Sequence, residues 1–179
     1  MRLPSERLEL SPLRPEDATA LFAIRTDPSV AQFQGWSPTD HAEAEAFVAR
    51  QARAVFDTPD SWFQLAIRPL GGDSLLGDLG VYFFEEGSRQ VEIGFTLSPA
   101  EQGQGIATEA VRTLLDHLFG ALDKHRVIAS VDPRNGRAIA LLRRLQFRKE
   151  AHFVKSLLVA GEWVDDVRFG LLREEWSRR

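Results

Sequence analysis

Residues 90–119 read QVEIGFTLSPAEQGQGIATEAVRTLLDHLF, a stretch in which a strand pattern is followed by a glycine-containing turn and a helix pattern. The large apolar residues from Val91 to Leu97 sit at alternate positions, which is typical of a strand. Apolar residues from Gly105 to Phe119 recur at spacings of three and one, which is typical of an amphipathic helix. The stretch therefore predicts a mixed α/β fold.

The turn at residues 102–107 predicts a binding site for an anion. Gly103 and Gly105 have no Cβ atoms, so backbone N–H groups there can approach a phosphate closely. The unpaired N–H groups and the positive dipole end of the following helix favour the same negative charge. Because helices that begin after two glycines are common, an ordinary turn without a ligand is the alternative.

Two other glycine loops and the common nucleophile motifs are excluded. A dinucleotide fingerprint needs a third glycine where Thr108 stands, and a P-loop needs a Gly-Lys pair, which the sequence lacks. The Gly-x-Ser-x-Gly turn of hydrolases is absent, and so is cysteine. Direct group transfer between two bound substrates remains as the expected chemistry.

The sequence around this stretch predicts one domain over residues 1–179, because no repeat, low-complexity tract or linker divides it. Further strands are predicted at residues 7–13, 62–67, 75–84, 126–131, 151–159 and 163–172, with residues 160–162 as the turn between the last two. A first helix is expected to begin at Pro15 and to stop at Asp27-Pro28. Thr39 or Asp40 is expected to cap a helix through residue 56, and Asn135 a later helix.

Composition limits the class of protein and its compartment. The 179 residues are 44% hydrophobic and 27% charged, which is typical of one soluble domain with a sizeable core. No apolar run approaches the roughly 20 residues of a membrane helix, and residues 1–7 lack the apolar stretch of a signal peptide. We therefore expect a cytoplasmic protein without a membrane partner.

Cysteine content, histidine spacing and charge exclude further classes. With no cysteine and four scattered histidines, we expect no metal site. A net charge of −4 argues against a nucleic-acid partner. Six basic residues nevertheless occur between Arg134 and Lys149 without an Asp or Glu among them. They form either a solvated helix face or local positive charge for an anionic ligand.

The turn and its flanks resemble the GNAT acetyltransferases. The pyrophosphate loop of that family reads Gln or Arg, two residues, Gly, one residue, Gly or Ala, which Gln102, Gly105 and Ala107 match. Residues 91–95 resemble the fourth strand of the family, and Asn135 stands where an asparagine contacts the pantetheine arm. Residues 7–10, 27–30, 161–165 and 171–176 resemble the branch that contains ribosomal-protein N-terminal acetyltransferases.

The resemblance implies a GNAT fold of the α/β (α+β) class, with a mixed, mostly antiparallel sheet of six to seven strands flanked by about four helices. Its strands 4 and 5 are expected to splay apart in a V and to admit the pantetheine of acetyl-CoA like an extra strand. The basic segment from Arg134 to Lys149 is then expected to attract the 3′-phosphorylated ADP, and no metal is implied. The residues implied for cosubstrate binding are Phe95, Thr96, Leu97, Gln102, Gly103, Gln104, Gly105, Ile106, Ala107, Thr108 and Asn135.

Glu92 is the candidate catalytic residue. An alkylammonium group with a pKa of about 10 is protonated near pH 7, so a base or a water relay must remove its proton. Family members often carry a glutamate at the matching position that acts through water, whereas an ordinary strand carboxylate is the alternative. His152 is a distant second candidate for the catalytic base. A backbone N–H near Phe95 or Thr96 is expected to donate to the thioester oxygen.

One position departs from the pattern of the family. Many relatives place a tyrosine in the helix after Asn135, but Leu142 stands at the matching position. A thiolate with a pKa of about 8.5 can leave with help from water. The missing tyrosine therefore bears on which group acts as the acid more than on whether the protein is active.

The resemblance implies an N-acetyltransferase that moves an acetyl group from acetyl-CoA to a primary amine. A peptide N-terminal α-amine is favoured, and a small polyamine or aminoglycoside-like amine comes second. A non-catalytic acyl-CoA-binding sensor or partner module is the alternative, and the protein is expected to be a monomer or a homodimer. Residues in segments that line the acceptor side in relatives, or that could attract a cationic amine, are Phe33, Trp36, Trp62, Tyr82, Trp163, Asp165 and Asp166.

Overall fold

A computed structural model of the chain describes residues 1–159 and 161–177. Within these ranges the strands are β1 (Leu3–Pro4), β2 (Leu8–Pro12), β3 (Ser61–Pro69), β4 (Gly77–Phe83), β5 (Gln90–Leu97), β6 (Arg126–Val131), β7 (Arg148–Val159) and β8 (Glu162–Leu172). The helices are α1 (Ala18–Thr26), α2 (Pro28–Ala31), α3 (His41–Arg53), α4 (Ile106–Gly120), α5 (Gly136–Arg144) and α6 (Arg173–Trp176). Ala160, part of the predicted last turn, lies outside the described residues.

The strands form one mixed sheet in the order β1-β2-β3-β4-β5-β6-β8-β7. All neighbouring pairs are antiparallel except β5 and β6, which run parallel. The predicted mixed, mostly antiparallel sheet is confirmed. Among the described residues it has eight strands instead of six to seven, because the two residues of β1 pair with β2 at its edge.

Strands β5 and β6 separate after a short parallel contact. Their Cα partners are Gln90 with Arg126, Val91 with Val127 and Glu92 with Ile128. Strand β5 continues to Leu97 while β6 turns toward β8, with which it pairs along its whole length. The expected V-shaped splay is confirmed. It lies between β5 and β6 and not between strands numbered 4 and 5, because the short β1 raises the number of every later strand by one.

Helix α4 packs against one face of the sheet and places its N-terminus beside the splay. Leu114, Leu115 and Leu118 are fully buried in one cluster with Val91 and Ile93 of β5. Burying an aliphatic side chain of this size stabilises a fold by about 1.5–3 kcal/mol. Apolar packing therefore holds the turn before α4 at the open end of the V.

The opposite face of the sheet carries α1 and α3. Their apolar residues pack on Ala66 of β3. Below α1, Arg25 donates to Asp78 of β4 at 2.9 Å, and both side chains are more than nine-tenths buried. Arg25 also donates to Gln34 at 3.2 Å, and Thr96 of β5 donates to the same oxygen at 3.3 Å. These bonds hold the segment that follows α1 over the outer end of β5.

Three helix boundaries differ from the prediction. A 3₁₀ turn spans Pro15–Asp17, so α1 begins at Ala18 and not at Pro15. The first helix ends at Thr26 as expected, but Pro28 then begins the short helix α2, whose N-cap Asp27 accepts from the Ser29 N–H at 2.9 Å. Proline suits the first position of a helix, because its missing N–H has no partner there. Helix α3 ends at Arg53 and not at residue 56, because the ring of Phe56 turns toward the core and packs edge-on against two other phenylalanine rings.

Candidate active site

A groove of about 770 Å³ lies in the open end of the splay. Its walls come from the outer end of β5, the turn before α4, the first two turns of α5, and the segment of α2 that reaches over β5. Phe95, Thr96 and Leu97 line it on the β5 side, and Asn135 lines it opposite. The structure therefore brings together residues that the sequence placed on separate elements.

The turn before α4 has the geometry of an anion site. Gly103 and Gly105 both have φ of +80°, a left-handed conformation that side chains with a Cβ rarely adopt. The N–H of Glu109 donates to the Gly105 carbonyl at 3.0 Å, so the N–H groups of the three preceding helical residues have no acceptor within the helix. No side chain caps this end of α4. The predicted residues of this turn that line the groove are Gln102, Gly103, Gly105, Ala107 and Thr108.

Two predicted residues of the turn do not line the groove. The Gln104 side chain donates to the Ala100 backbone carbonyl at 2.9 Å. The backbone carbonyl of Gln104 accepts from the Arg7 side chain at 3.3 Å. Ile106 is 7% exposed and belongs to the hydrophobic core. The expected role of Gln104 and Ile106 is therefore limited to their backbone groups.

The basic segment of residues 134–149 divides into two sets. Arg134, Arg137 and Arg144 line the groove, where Arg137 donates to Gln102 and Arg144 donates to Thr108 at 3.1 Å. Arg148, in contrast, pairs with carboxylates on β7 and α6. Positive charge is thus placed along α5 opposite the N-terminus of α4.

Asn135 begins α5, as the sequence predicted. Its side-chain oxygen accepts from the Ala138 N–H at 3.1 Å, which satisfies one of the unpaired donors of the first turn. Replacing Asn135 with Ala removes this acceptor, and we expect a loss of about 1 kcal/mol of stability and a Tm lowered by about 2–4 °C. Thermal denaturation measures it; Asn135→Ser, which restores a capping oxygen, is the control, and a Tm equal to wild type in Asn135→Ala contradicts the cap.

Glu92 lies at the vertex of the V, because its pairing with Ile128 is the last between β5 and β6. Its side chain is half-buried on the sheet face opposite α4. Burial raises the pKa of the Glu92 carboxyl above its ordinary value, the charge of Arg168 lowers it, and the charge of Asp166 raises it. The carboxyl group therefore keeps its proton to a higher pH than an exposed glutamate does.

The surface beside Glu92 is open and partly aromatic. Tyr82 is the β4 partner of Glu92, and the Trp62 and Tyr82 ring centroids are 5.4 Å apart. In the part of the chain that the structure describes, no atom beyond the adjacent residues lies within 4 Å of the place where a Cβ of Gly94 would stand. Phe33 lines the neighbouring groove. An amine can thus approach the vertex from this side.

Three further residues that the resemblance singled out lie in different surroundings. Trp36 stacks on Phe47 with ring centroids 4.6 Å apart and donates to Glu43 at 3.1 Å, so it joins α3 to the segment before it. Trp163 is 58% exposed on β8. Leu142, at the position where many relatives have tyrosine, is fully buried.

Asp165 and Asp166 differ in environment, although the sequence suggested the same role for both, the attraction of a cationic amine. Asp165 is 2.8 Å from His152, the second-choice base, and accepts from the Lys155 N–H at 3.0 Å. Asp166 is 3% exposed and accepts from the Ser130 hydroxyl. Successive residues of a strand face opposite sides, so only Asp166 shares a face with Glu92.

Gln34 and Arg168 belong to the site but were not predicted from the sequence. Gln34 lines the groove and ties the segment after α2 to Thr96. Arg168 reaches the face of Glu92 from two strands away. Neither residue stands in a motif, and only the pairing of distant segments brings them to the site.

Among residues 1–159 and 161–177, no group of three or more His, Cys, Asp or Glu side chains is arranged to hold a metal ion. Within the same ranges, no helix has the length and apolar character needed to span a membrane.

The sequence and the fold were compared with known proteins. The family model described as acetyltransferase (GNAT) domain matches residues 7–148. The uncharacterized N-acetyltransferase p20 of Bacillus licheniformis is 30% identical over 98% of this chain and 98% of its own. An acetyltransferase of the GNAT family from Bacillus anthracis has a similar crystal structure, with a TM-score of 0.87, 23% identity, and coverage of 98% of this chain and 100% of that one, which shows the shared fold.

Two relatives of named substrate match about half of the chain. The [ribosomal protein uS5]-alanine N-acetyltransferase of Escherichia coli is 32% identical over 48% of this chain and 44% of its own. The spermidine N(1)-acetyltransferase of the same organism is 27% identical over 49% of this chain and 47% of its own. Since the family model covers most of the sequence, the chain belongs to the GNAT acetyltransferase family and is an N-acetyltransferase that uses acetyl-CoA.

Proposed function

We propose that this enzyme acetylates the α-amine at the N-terminus of a peptide by direct transfer within a ternary complex. The observation that carries the proposal is the place of Glu92, a half-buried carboxyl group where β5 and β6 separate. On one side of this vertex lies the groove that fits acetyl-CoA, and on the other lies the open surface above Gly94. A base at this point can serve an amine that meets the acetyl group.

The groove suits acetyl-CoA in both charge and shape. The N–H groups at the start of α4 and the positive helix end favour the pyrophosphate, and Arg134, Arg137 and Arg144 add positive charge for the 3′-phosphate. Beyond Glu92, β5 has no β6 partner, so its backbone groups near Phe95 and Leu97 can pair with the amides of the pantetheine.

In the proposed reaction Glu92 accepts a proton from the acceptor amine, directly or through a water molecule. A backbone N–H near Phe95 or Thr96 donates to the thioester oxygen as negative charge develops on it. When the tetrahedral intermediate collapses, the C–S bond breaks and the second proton of the attacking nitrogen passes through water to the leaving thiolate, whose pKa is about 8.5, since the position of the family tyrosine is the buried Leu142.

The limited acid–base machinery favours an α-amine. An α-amine has a pKa of about 8 and a lysine-type amine about 10.4, a difference of about 3 kcal/mol in the cost of deprotonation. A single half-buried carboxyl group therefore suits an α-amine better than an alkylamine. The E. coli relative named for alanine acetylation of a ribosomal protein supports this order.

A small polyamine or aminoglycoside-like amine is the second candidate. The likeness to the spermidine acetyltransferase and the buried negative charge of Asp166 near the vertex favour it. Such a substrate carries several positive charges, so the balance of Glu92, Asp166 and Arg168 at the site decides how well it binds.

The two acceptors are distinguished by a panel of amines in an assay of thiol release from acetyl-CoA. We expect an alanine-initiated peptide to have a kcat/KM at least about tenfold above that of spermidine or an aminoglycoside. The same peptide with a blocked N-terminus and one lysine is the control and should be nearly inert. Efficient acetylation of polyamines without that of peptides reverses the order, and the absence of thiol release with every amine of the panel contradicts both acceptor classes.

A further inference from the structure

We propose that Arg168 determines acceptor specificity by donating from Nε–H to the carbonyl or carboxylate oxygen attached to the carbon that bears the reacting amine. This inference rests on the proposed function, because it places the acceptor at the vertex beside Glu92. It assigns the acceptor to the class of α-amino acyl compounds.

Strand register places Arg168 on the acceptor face. Arg168 of β8 is the partner of Ser130 of β6, and Ile128, two residues earlier on β6, is the partner of Glu92. Residues two apart on a strand share a face, so Glu92, Ser130 and Arg168 point to the same side of the sheet. The effect of the Arg168 charge on the Glu92 carboxyl agrees with this proximity.

The Nε atom of Arg168 is buried and has no hydrogen-bond partner among the residues that the structure describes. A buried donor without an acceptor costs about 1–3 kcal/mol, so native proteins rarely leave one without a use. Nε is covered in this conformation while the side chain as a whole is 39% exposed, so the proposal includes a rotation of the guanidinium that uncovers Nε when the acceptor binds. An oxygen of a bound acceptor is the partner this donor needs.

Neighbours hold the far end of the Arg168 guanidinium. Its Nη2 lies 3.9 Å from Asp166, and its central carbon lies 5.9 Å from the centroid of the Phe153 ring. Asp166 in turn accepts from the Ser130 hydroxyl. Nη2 is thus drawn toward Asp166 at a distance longer than a hydrogen bond, which leaves the guanidinium able to turn Nε toward a ligand.

In the proposed complex an amino acyl group satisfies both Glu92 and Arg168. Its amine nitrogen and carbonyl oxygen are three bonds apart and about 3 Å from each other. A polyamine has no such oxygen, and a second ammonium group near the guanidinium is repelled. A site built to hydrogen-bond an oxygen discriminates strongly against a substrate without it, because its own donor then stays unpaired.

The test compares two acceptors in four proteins. The acceptors are an alanine-initiated peptide and the same peptide with its first carbonyl reduced to a methylene. The proteins are wild type, Arg168→Met, Arg168→Lys and the control Arg53→Met, which changes an exposed residue at the end of α3. For each we measure kcat and KM by thiol release and the Kd of acetyl-CoA by calorimetry.

We expect wild type and Arg53→Met to prefer the intact peptide by about 30-fold or more in kcat/KM, and Arg168→Met to show a preference of about threefold or less, mainly through KM. Arg168→Lys keeps the positive charge but has no donor at the Nε position, so it should resemble Arg168→Met. The Kd of acetyl-CoA should be unchanged in all four, and if Arg168→Met does not fold, Arg168→Lys decides.

Three outcomes are separable. If wild type acetylates neither peptide, the proposed function fails and this inference fails with it. If wild type acetylates peptides and the Arg168 variants keep the preference, only this inference is overturned. Equal losses on both acceptors show that Arg168 is a structural residue and also overturn it.

Discussion

A Gly105→Val protein is expected to lose at least about 100-fold in acetyl-CoA affinity, because the substitution distorts the turn before α4 and places a branched side chain where phosphate must approach. Gly105 has φ of +80°, and a β-branched residue is strongly disfavoured there. Among residues 1–159 and 161–177, the only atom within 4 Å of an added Cβ, apart from those of adjacent residues, is Arg7 Nη2 at 3.5 Å, an ordinary contact. The free protein therefore has room for the valine side chain, but the same side chain obstructs a bound pyrophosphate.

Calorimetry with acetyl-CoA measures this loss, and Gly87→Val is the matched control. Gly87 has φ of +82° in the β4–β5 connection and no neighbouring atom within 4 Å of an added Cβ. The control carries the same backbone strain away from the groove, so it should cost stability without changing the Kd. Unchanged affinity in Gly105→Val, or an equal loss in both proteins, contradicts the assignment of the pyrophosphate site.

For Glu92→Gln we expect a fall of about 100-fold in kcat at neutral pH, with the Kd of acetyl-CoA nearly unchanged. The amide is nearly the same size as the carboxyl group but cannot accept a proton. Glu92 does not line the cosubstrate groove, and the substitution should therefore separate turnover from binding. The exposed Glu45 of α3 gives the control Glu45→Gln, which should match wild type.

The pH dependence gives a second readout for Glu92. Because burial raises the pKa of its carboxyl, the ionised base forms only above the range of an ordinary glutamate. The kcat/KM of wild type should rise through this titration, and Glu92→Gln should lose that acidic limb. A profile identical to wild type between pH 6 and 9, with a verified acceptor, makes Glu92 structural.

Stability provides a check on the fold of the same variant. A carboxyl group with a raised pKa in the folded state stabilises the protein while it is protonated, and this contribution is lost as the pH rises through that pKa. Gln stays neutral at every pH, so Glu92→Gln should be at least as stable as wild type at neutral pH. A large fall in its Tm contradicts this account of the Glu92 environment.

Local sequence determined the elements that carry the cosubstrate site. The left-handed φ of Gly103 and Gly105, the start of α4 and the cap at Asn135 each depend on a few adjacent residues, and all three were predictable. The alternation of β5 placed Glu92 opposite the core for the same reason. Backbone conformation and helix capping are set within one turn or one strand, so a pattern in the sequence is enough to predict them.

The helix boundaries were less predictable where packing decides. The ring of Phe56 ended α3 early by turning into the core, and Pro28 began α2 where the sequence indicated only an end. In each case the apolar periodicity was compatible with both outcomes. Contacts of the Phe56 ring with rings far along the chain chose the end of α3, whereas α2 began through the local cap at Asp27 and the proline at residue 28.

Only the tertiary structure decided which residues share the sheet face of Glu92. Asp165 and Asp166 are neighbours in sequence, yet only Asp166 shares the face of Glu92, and Arg168 reaches that face through the pairing of β6 with β8. The basic segment likewise sends Arg137 and Arg144 to the groove and Arg148 to β7. Strand register and the end of the β5–β6 contact depend on packing between segments distant in sequence, and a one-residue shift in register reverses the face of every side chain.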